Sequence, residues 1–182
     1  YASAPAIAPG GSVQLSWSGD RIANVDIEPP ATTKPSASDG QVTAAPDKTT
    51  EYTLTAKNWI GLSSSAKVKI NVVRITKFNL STASLSQEGQ EVTLDWETDG
   101  ADAVRIDPGD EIKDAKTTGN AKVHPTGNTT YTLTASGPGG LEVKESRDVT
   151  IGPPTLDKFE VTDPPPGARV FPGGQVKLNW KV

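Results

Sequence analysis

Val13, Leu15 and Trp17 alternate with Gln14 and Ser16, and Tyr52, Leu54 and Ala56 alternate with Thr53 and Thr55. A period of two sends successive side chains to opposite faces, which is the signature of a half-buried strand and not of a helix. The alternating runs are short, rich in Val, Thr and Ile, and separated by Gly, Pro and Asp clusters. They read as antiparallel strands joined by turns. The pattern predicts strands before Pro9 and over 12–18, 23–28, 40–45, 51–57 and 64–73. A second set falls at 76–86, 90–97, 102–107, 119–124, 129–136 and 143–151, and a last pair near 156–163 and 174–181. No stretch has the spacing of an amphipathic helix.

These sets are copies of one another. "SVQLSW", ending at Trp17, recurs as "EVTLDW", ending at Trp96, and as "QVKLNW", ending at Trp180. "VDIEP" recurs as "VRIDP", and Tyr52 and Tyr131 stand at the same separation as Trp17 and Trp96. From Val13 to Leu62 the first two copies align without a gap, so loops as well as strands match in length. Internal repetition of this kind decides the architecture. It divides the chain into 1–74, 75–152 and 153–182, the last holding only the first strands of a third copy. Two strands cannot bury a core by themselves, so the expectation is a longer array of which this is a part.

Several short strands per copy predict a β-sandwich, with a barrel of similar strands as the alternative. The position of the tyrosine favours the sandwich. In immunoglobulin-like domains a Tyr near the start of strand F sits two residues before a Cys, and strand B carries the other Cys. Here "Tyr-x-Leu" at 52–54 and 131–133 puts Leu at the first place, and "Leu-x-Trp" at 15–17 and 94–96 puts Trp at the second. An apolar plug replaces the bridge, which makes Trp17, Trp96 and Trp180 candidate core residues. The run "GGSVQLSW…VDIEP…GQVTAAPDKTTEYTLTAKNWIG" and its partner "GQEVTLDW…VRIDPG…GNAKVHPTGNTTYTLTASGPGG" resemble the tandem Ig-like repeats of bacterial surface and secreted proteins. The fold class implied is all-β: tandem Ig-like antiparallel β-sandwiches in an extended array, with the third copy truncated. The "FGDG" pattern of polycystic-kidney-type modules is absent, as is the second Trp/Tyr pair of fibronectin type III domains.

Copy 1 passes into copy 2 through "VVRITKF", with no Gly, no Pro and no polar spacer. Such a joint is short and restricts bending, unlike a Gly/Ser coil. The second joint, "IGPPTLDKF", stiffens at Pro153 and Pro154. Both predict a rod that holds something at a distance.

Composition narrows the chemistry. The 182 residues are 34% hydrophobic and 22% charged, with a net charge of −4, which argues against nucleic acid or an anionic membrane as partner. No apolar run reaches the roughly 18 residues of a membrane helix. The absence of Met, even at the start, points to a processed product or excised fragment. Without Cys and with His124 as its sole His, the chain has no Cys–His pair and no zinc set. His124 precedes Pro125 at a loop, where copy 1 has Ala45, and reads as a loop residue. Asp99 and Asp102 on one side of strand C, and Asp107, Asp110 and Glu111 on the other, suggest calcium. The two groups lie at opposite ends of that strand, however, and copy 1 lacks three of the five. A solvated acidic surface is the simpler reading. Catalytic residues, cofactor and metal are therefore all expected to be none.

One local feature resists the repeat. "EYTLTAKNWIGL" carries Trp59 and Ile60 where "TYTLTASGPGGL" has Pro138 and Gly139. The turn belongs at the end of the domain that faces its predecessor, so small residues in copy 2 would let copy 1 approach. Trp59 and Ile60 are candidate protein contacts: with an upstream domain, with their own B–C loop, or with a ligand. The functional expectation is a non-enzymatic structural or adhesive stalk in a bacterial extracellular or cell-surface protein. Its partners are neighbouring Ig-like domains of the same chain, with a protein or glycan partner through the loops as a further reading. The alternative is an accessory Ig-like region of a phage virion protein or a secreted enzyme.

Overall fold

The alternation along β2 (Val13–Trp17) becomes burial of Val13 and Leu15 with Gln14 exposed between them. The same two-residue rhythm runs through β3 (Asn24–Glu28), where Val25 and Ile27 are buried and Asn24, Asp26 and Glu28 are not. In this computed structural model all residues are described except 33–39, 113–114, 154–157, 164–168, 171 and 182. Nearly all regular structure is strand, and a single 3₁₀ turn at Pro138–Gly140 is the only helical element among the described residues.

The first core lies between two sheets. One has the order β1 (Ala6–Ile7), β6 (Ser63–Val72), β5 (Thr50–Lys57), β3, and the other pairs β2 with β4 (Gly40–Ala44). Ile7, Val13, Leu15, Val25, Ile27, Val42, Tyr52 and Ile70 fill the space between them. The second core repeats this arrangement. The sheet β10 (Ala103–Asp107), β12 (Thr129–Ser136), β13 (Glu142–Ile151), β8 (Ser84–Leu85) faces the sheet β11 (Thr118–Val123), β9 (Val92–Asp99), β7 (Arg74–Leu80). Registers coincide as well. Asn24 opposes Lys57 as Ala103 opposes Ser136, and Val13 opposes Ala44 as Val92 opposes Val123.

This strand order is the immunoglobulin one, with the C, F and G strands on one sheet and B and E on the other. The sequence pattern predicts one strand over 76–86. It is instead split: β7 pairs antiparallel with β9, and β8 crosses to the opposite sheet to lie parallel to β13. Residues Ser81 to Ala83 make the crossing, and the hydrogen bonds Ser81 N to Thr93 O and Thr150 N to Ala83 O tie its two ends to different sheets. The division lets one strand stitch both layers together.

Core packing differs between the two tryptophans that share a motif. Trp96 is 3% exposed, and its indole Nε1 donates to the Lys116 carbonyl at 2.8 Å. Trp17 is only half-buried, and its Nε1 has no hydrogen-bond partner among the described residues. The position equivalent to Lys116 in copy 1 is Ala37, which lies outside them. The third of the set, Trp180, is 63% exposed. It stands on β15 (Lys177–Lys181), which pairs with β14 (Lys158–Asp163) in a two-stranded sheet, and no described residue forms a layer above it. The expectation of a core tryptophan holds at Trp96, while Trp180 stands on a strand pair with no facing sheet among the described residues.

Candidate functional site

Two places combine unusual geometry with exposed or shared chemistry: the turn at Asn58–Leu62, and the joint where β6 gives way to β7. The turn is built by Asn58. Its side-chain Oδ1 accepts from the amides of Ile60 at 3.1 Å and Leu62 at 2.9 Å, while its own amide donates to the Leu62 carbonyl. Short polar side chains commonly fold turns in this way. Gly61, at φ +89°, takes the left-handed conformation that closes the loop. Trp59 and Ile60 project from this braced frame and are 84% and 59% exposed, joined by Leu62 at 66%. Trp59 in particular is left largely uncovered by its own domain.

The joint is a single residue. β6 ends at Val72, β7 begins at Arg74, and Val73 between them is completely buried. Val73 packs in the second core together with Ala6, which comes from the first repeat. Its amide donates to the Ile7 carbonyl at 2.9 Å. The turn at the tip of β12 and β13 closes over the same spot. A β-carbon on Gly139 would come within 2.8 Å of the Pro5 ring, and one on Gly100 within 2.3 Å of the Val72 carbonyl oxygen. The expectation that small residues in "SGPGGL" let the first copy approach is thus realised in the contact of Gly139 with Pro5.

Polar groups complete the joint. Arg74 Nη2 meets Asp99 Oδ2 at 2.9 Å, and Nη1 reaches the Asp47 carbonyl at 3.5 Å. Asn71 Nδ2 donates to the Gly100 carbonyl, and the Val72 amide donates to Thr49 Oγ1 at 3.2 Å. The Arg74–Asp99 pair is about two-fifths exposed on each side, so its Coulomb energy is largely screened and worth at most about 1 kcal/mol. Its value is geometric: one guanidinium touches the Asp47 carbonyl of the first repeat and the Asp99 carboxylate at the end of β9 in the second. Sequence reasoning located the joint at "VVRITKF" but missed Arg74, Asn71, Thr49 and Pro5. Their signal is faint, since each contact spans more than twenty residues and involves ordinary polar types.

Three of the five acidic residues weighed for calcium have partners of their own. Asp99 pairs with Arg74 and Asp107 with Arg105. Glu111 binds His124 twice, accepting from its amide at 2.9 Å and lying 2.7 Å from Nδ1. Among the described residues no group of three potential metal ligands comes together. The hydrogen bonds from the His124 side chain and amide hold the Glu111 carboxyl below its ordinary range. Tyr131 and Tyr52 are pushed up, chiefly by burial, and Tyr131 also by the charge of Glu111. No helix of the described residues is long and apolar enough to cross a membrane.

No family model matches the chain. An uncharacterised protein of Ruminiclostridium cellulolyticum is 31% identical over 176 residues, which span 96% of this chain and 47% of that protein. The chain thus spans about half the length of the relative it matches. Among solved structures, the D00-D0 domain of intimin is similar over 81% of this chain and 95% of its own, at 14% identity and a TM-score of 0.38. A chimeric titin Z1Z2 is similar over 84% of this chain and 96% of its own, at 16% identity and a TM-score of 0.33. The immunoglobulin-like assignment rests on the chain's own strand order and register.

Proposed function

We propose that this chain is a non-enzymatic structural region, a tandem Ig-like stalk or spacer of a bacterial extracellular or cell-surface protein. The observation that carries this reading is the joint. Val73 is the only residue between β6 and β7, and it is buried together with Ala6 in the second core. A joint with an apolar interior, polar ties on its flank and no coil should transmit orientation from one repeat to the next. Resemblance to a bacterial relative of about twice the length fits a segment within a larger protein. Neighbouring Ig-like domains are the expected partners. Small-angle scattering tests the reading: an elongated particle, unchanged by added salt, supports a spacer, and a compact one contradicts it.

A second role is favoured by one observation, the bracing of the exposed Trp59 tip by Asn58. Aromatic side chains on rigid frames are effective contact anchors. In this reading Trp59 and Ile60 contact a preceding domain or a protein or glycan partner. Trp59→Ala should weaken that contact and leave the melting temperature unchanged, whereas a fall in melting temperature would assign the indole to its own domain.

A further inference from the structure

β1 is only two residues long, yet both are buried. It runs parallel to the end of β6, with Ala6 opposite Asn71 and Ile7 opposite Val72. The Asn71 amide donates to the Pro5 carbonyl at 3.0 Å, and the Val73 amide to the Ile7 carbonyl at 2.9 Å. Successive side chains of a strand point to opposite faces, and here the two faces belong to different repeats. Ile7 packs in the first core, whereas Ala6 packs in the second with Val73. Pro5, just ahead of β1, meets the turn between β12 and β13, where a β-carbon on Gly139 would come within 2.8 Å of its ring.

The counterpart β8 is tied differently. It lies parallel to β13, with Ser84 opposite Thr150 and Leu85 opposite Ile151, so Thr150 occupies the place of Asn71. Thr150 donates twice to the Ala83 carbonyl, from its amide at 2.9 Å and its Oγ1 at 3.2 Å, and its hydroxyl lies 3.5 Å from that of Ser84. The side chain at this place thus holds β8 within its own repeat. Asn71 instead sends its Nδ2 across the joint to the Gly100 carbonyl at 3.4 Å.

We infer that the second repeat is a latch on the edge strand of the first: its turn at Gly139 and its core around Val73 hold β1 against β6, and loosening the second repeat releases β1 while the rest of the first repeat stays folded. A two-residue pairing offers few hydrogen bonds against the entropy of ordering residues 5–7. The burial of Ala6 and the seating of Pro5, both supplied by the second repeat, add what the pairing lacks. Short edge elements open at lower free energy than central strands, so β1 is the part of the first repeat that responds. Linkage makes the effect reciprocal, and docked β1 also supports the second repeat.

Hydrogen exchange followed by NMR on the full chain tests the latch. The Asn71 and Val73 amides report the pairing of β1, and Thr55 and Thr134, on the central strands β5 and β12, report the first and second repeats. Gly139→Ala pushes a methyl at the Pro5 ring. Val123→Ala thins the second core at the end of β9 and β11 away from Asp99. Gly139→Ala should speed exchange at Asn71 and Val73 by about tenfold or more, with Thr55 unchanged. In Val123→Ala, Asn71 and Val73 should accelerate in step with Thr134, again with Thr55 unchanged. Unaltered exchange at Asn71 and Val73 in Gly139→Ala, or protection kept there while Thr134 loses it in Val123→Ala, would overturn the inference. An equal acceleration at Thr55 would overturn it too, since the repeats would then open as one body. None of these outcomes depends on whether the molecule is a stalk.

Discussion

Val73 lies so close to Gly137 that a β-carbon built on the glycine would come within 2.3 Å of a valine methyl. Gly137 has an ordinary extended backbone, at φ −120° and ψ −177°, so its lack of a side chain is a matter of space and not of conformational strain. The joint therefore depends on the fit of one β-branched residue from the linker against one glycine from the second repeat.

Gly137→Ala should destabilise the second repeat by about 1–3 kcal/mol through overpacking. Denaturant titration would measure it. Val73→Ala combined with Gly137→Ala should recover part of the loss, because the smaller linker residue makes room. Additive losses in the double variant would show that the two residues do not share a contact.

The two motif tryptophans should differ in energetic weight. Trp96→Ala removes an enclosed indole and its bond to the Lys116 carbonyl, at an expected cost of about 3–5 kcal/mol. Trp17→Ala should cost distinctly less in this chain, because the indole is only half-buried and its Nε1 has no hydrogen-bond partner among the described residues. Equal losses measured by chemical denaturation would contradict the difference in packing.

Alkali should act through the buried phenols. Tyr52 and Tyr131 ionise less readily folded than unfolded, so the folded state retains protons that the unfolded state gives up. Their contribution is complete below the unfolded value of about 10 and is lost as pH rises through the higher folded value. Absorbance at the phenolate band should show these two ionisations together with loss of near-ultraviolet circular dichroism. Removing the Glu111 charge by Glu111→Gln should bring the Tyr131 ionisation down, since that charge raises it.

Glu111 behaves in the opposite sense. Its carboxyl is held low by His124, so the interaction is present above the ordinary glutamate value of about 4.3 and is lost as pH falls through the depressed one. Carbon-detected NMR titration should place Glu111 below that ordinary value. His124→Ala should return it towards that value, because the Nδ1 bond is the leading cause. A Glu111 that titrates at the ordinary glutamate value in the unmodified chain would remove the pair from the account.

The alternation at Val13, Leu15 and Trp17 was enough to locate strands and the repeat, because burial on one face imposes a period of two regardless of what lies elsewhere. Strand ends at β3, β5 and β13 fall within a residue or two of the pattern for that reason. The splitting of 76–86 into β7 and β8 was not legible, since its polar stretch Ser81–Ala83 reads equally as strand or crossing. Trp59 was conspicuous from sequence because its partner copy has Pro138, yet exposure is a property of what surrounds a turn and needed the structure. The joint contacts of Arg74 and Pro5 were invisible for a similar reason. They depend on loops brought together by two folded cores, and no local pattern encodes that.

The claim that the joint holds the two repeats in one relative orientation can be measured directly. The chain has no cysteine of its own, so Asp26→Cys and Asn120→Cys introduce a single spin-label pair, one label on β3 and one on β11. Pulsed electron–electron resonance should give one narrow distance distribution that persists in the presence of salt. A broad or multi-peaked distribution, as from repeats joined by a flexible tether, would contradict the spacer account.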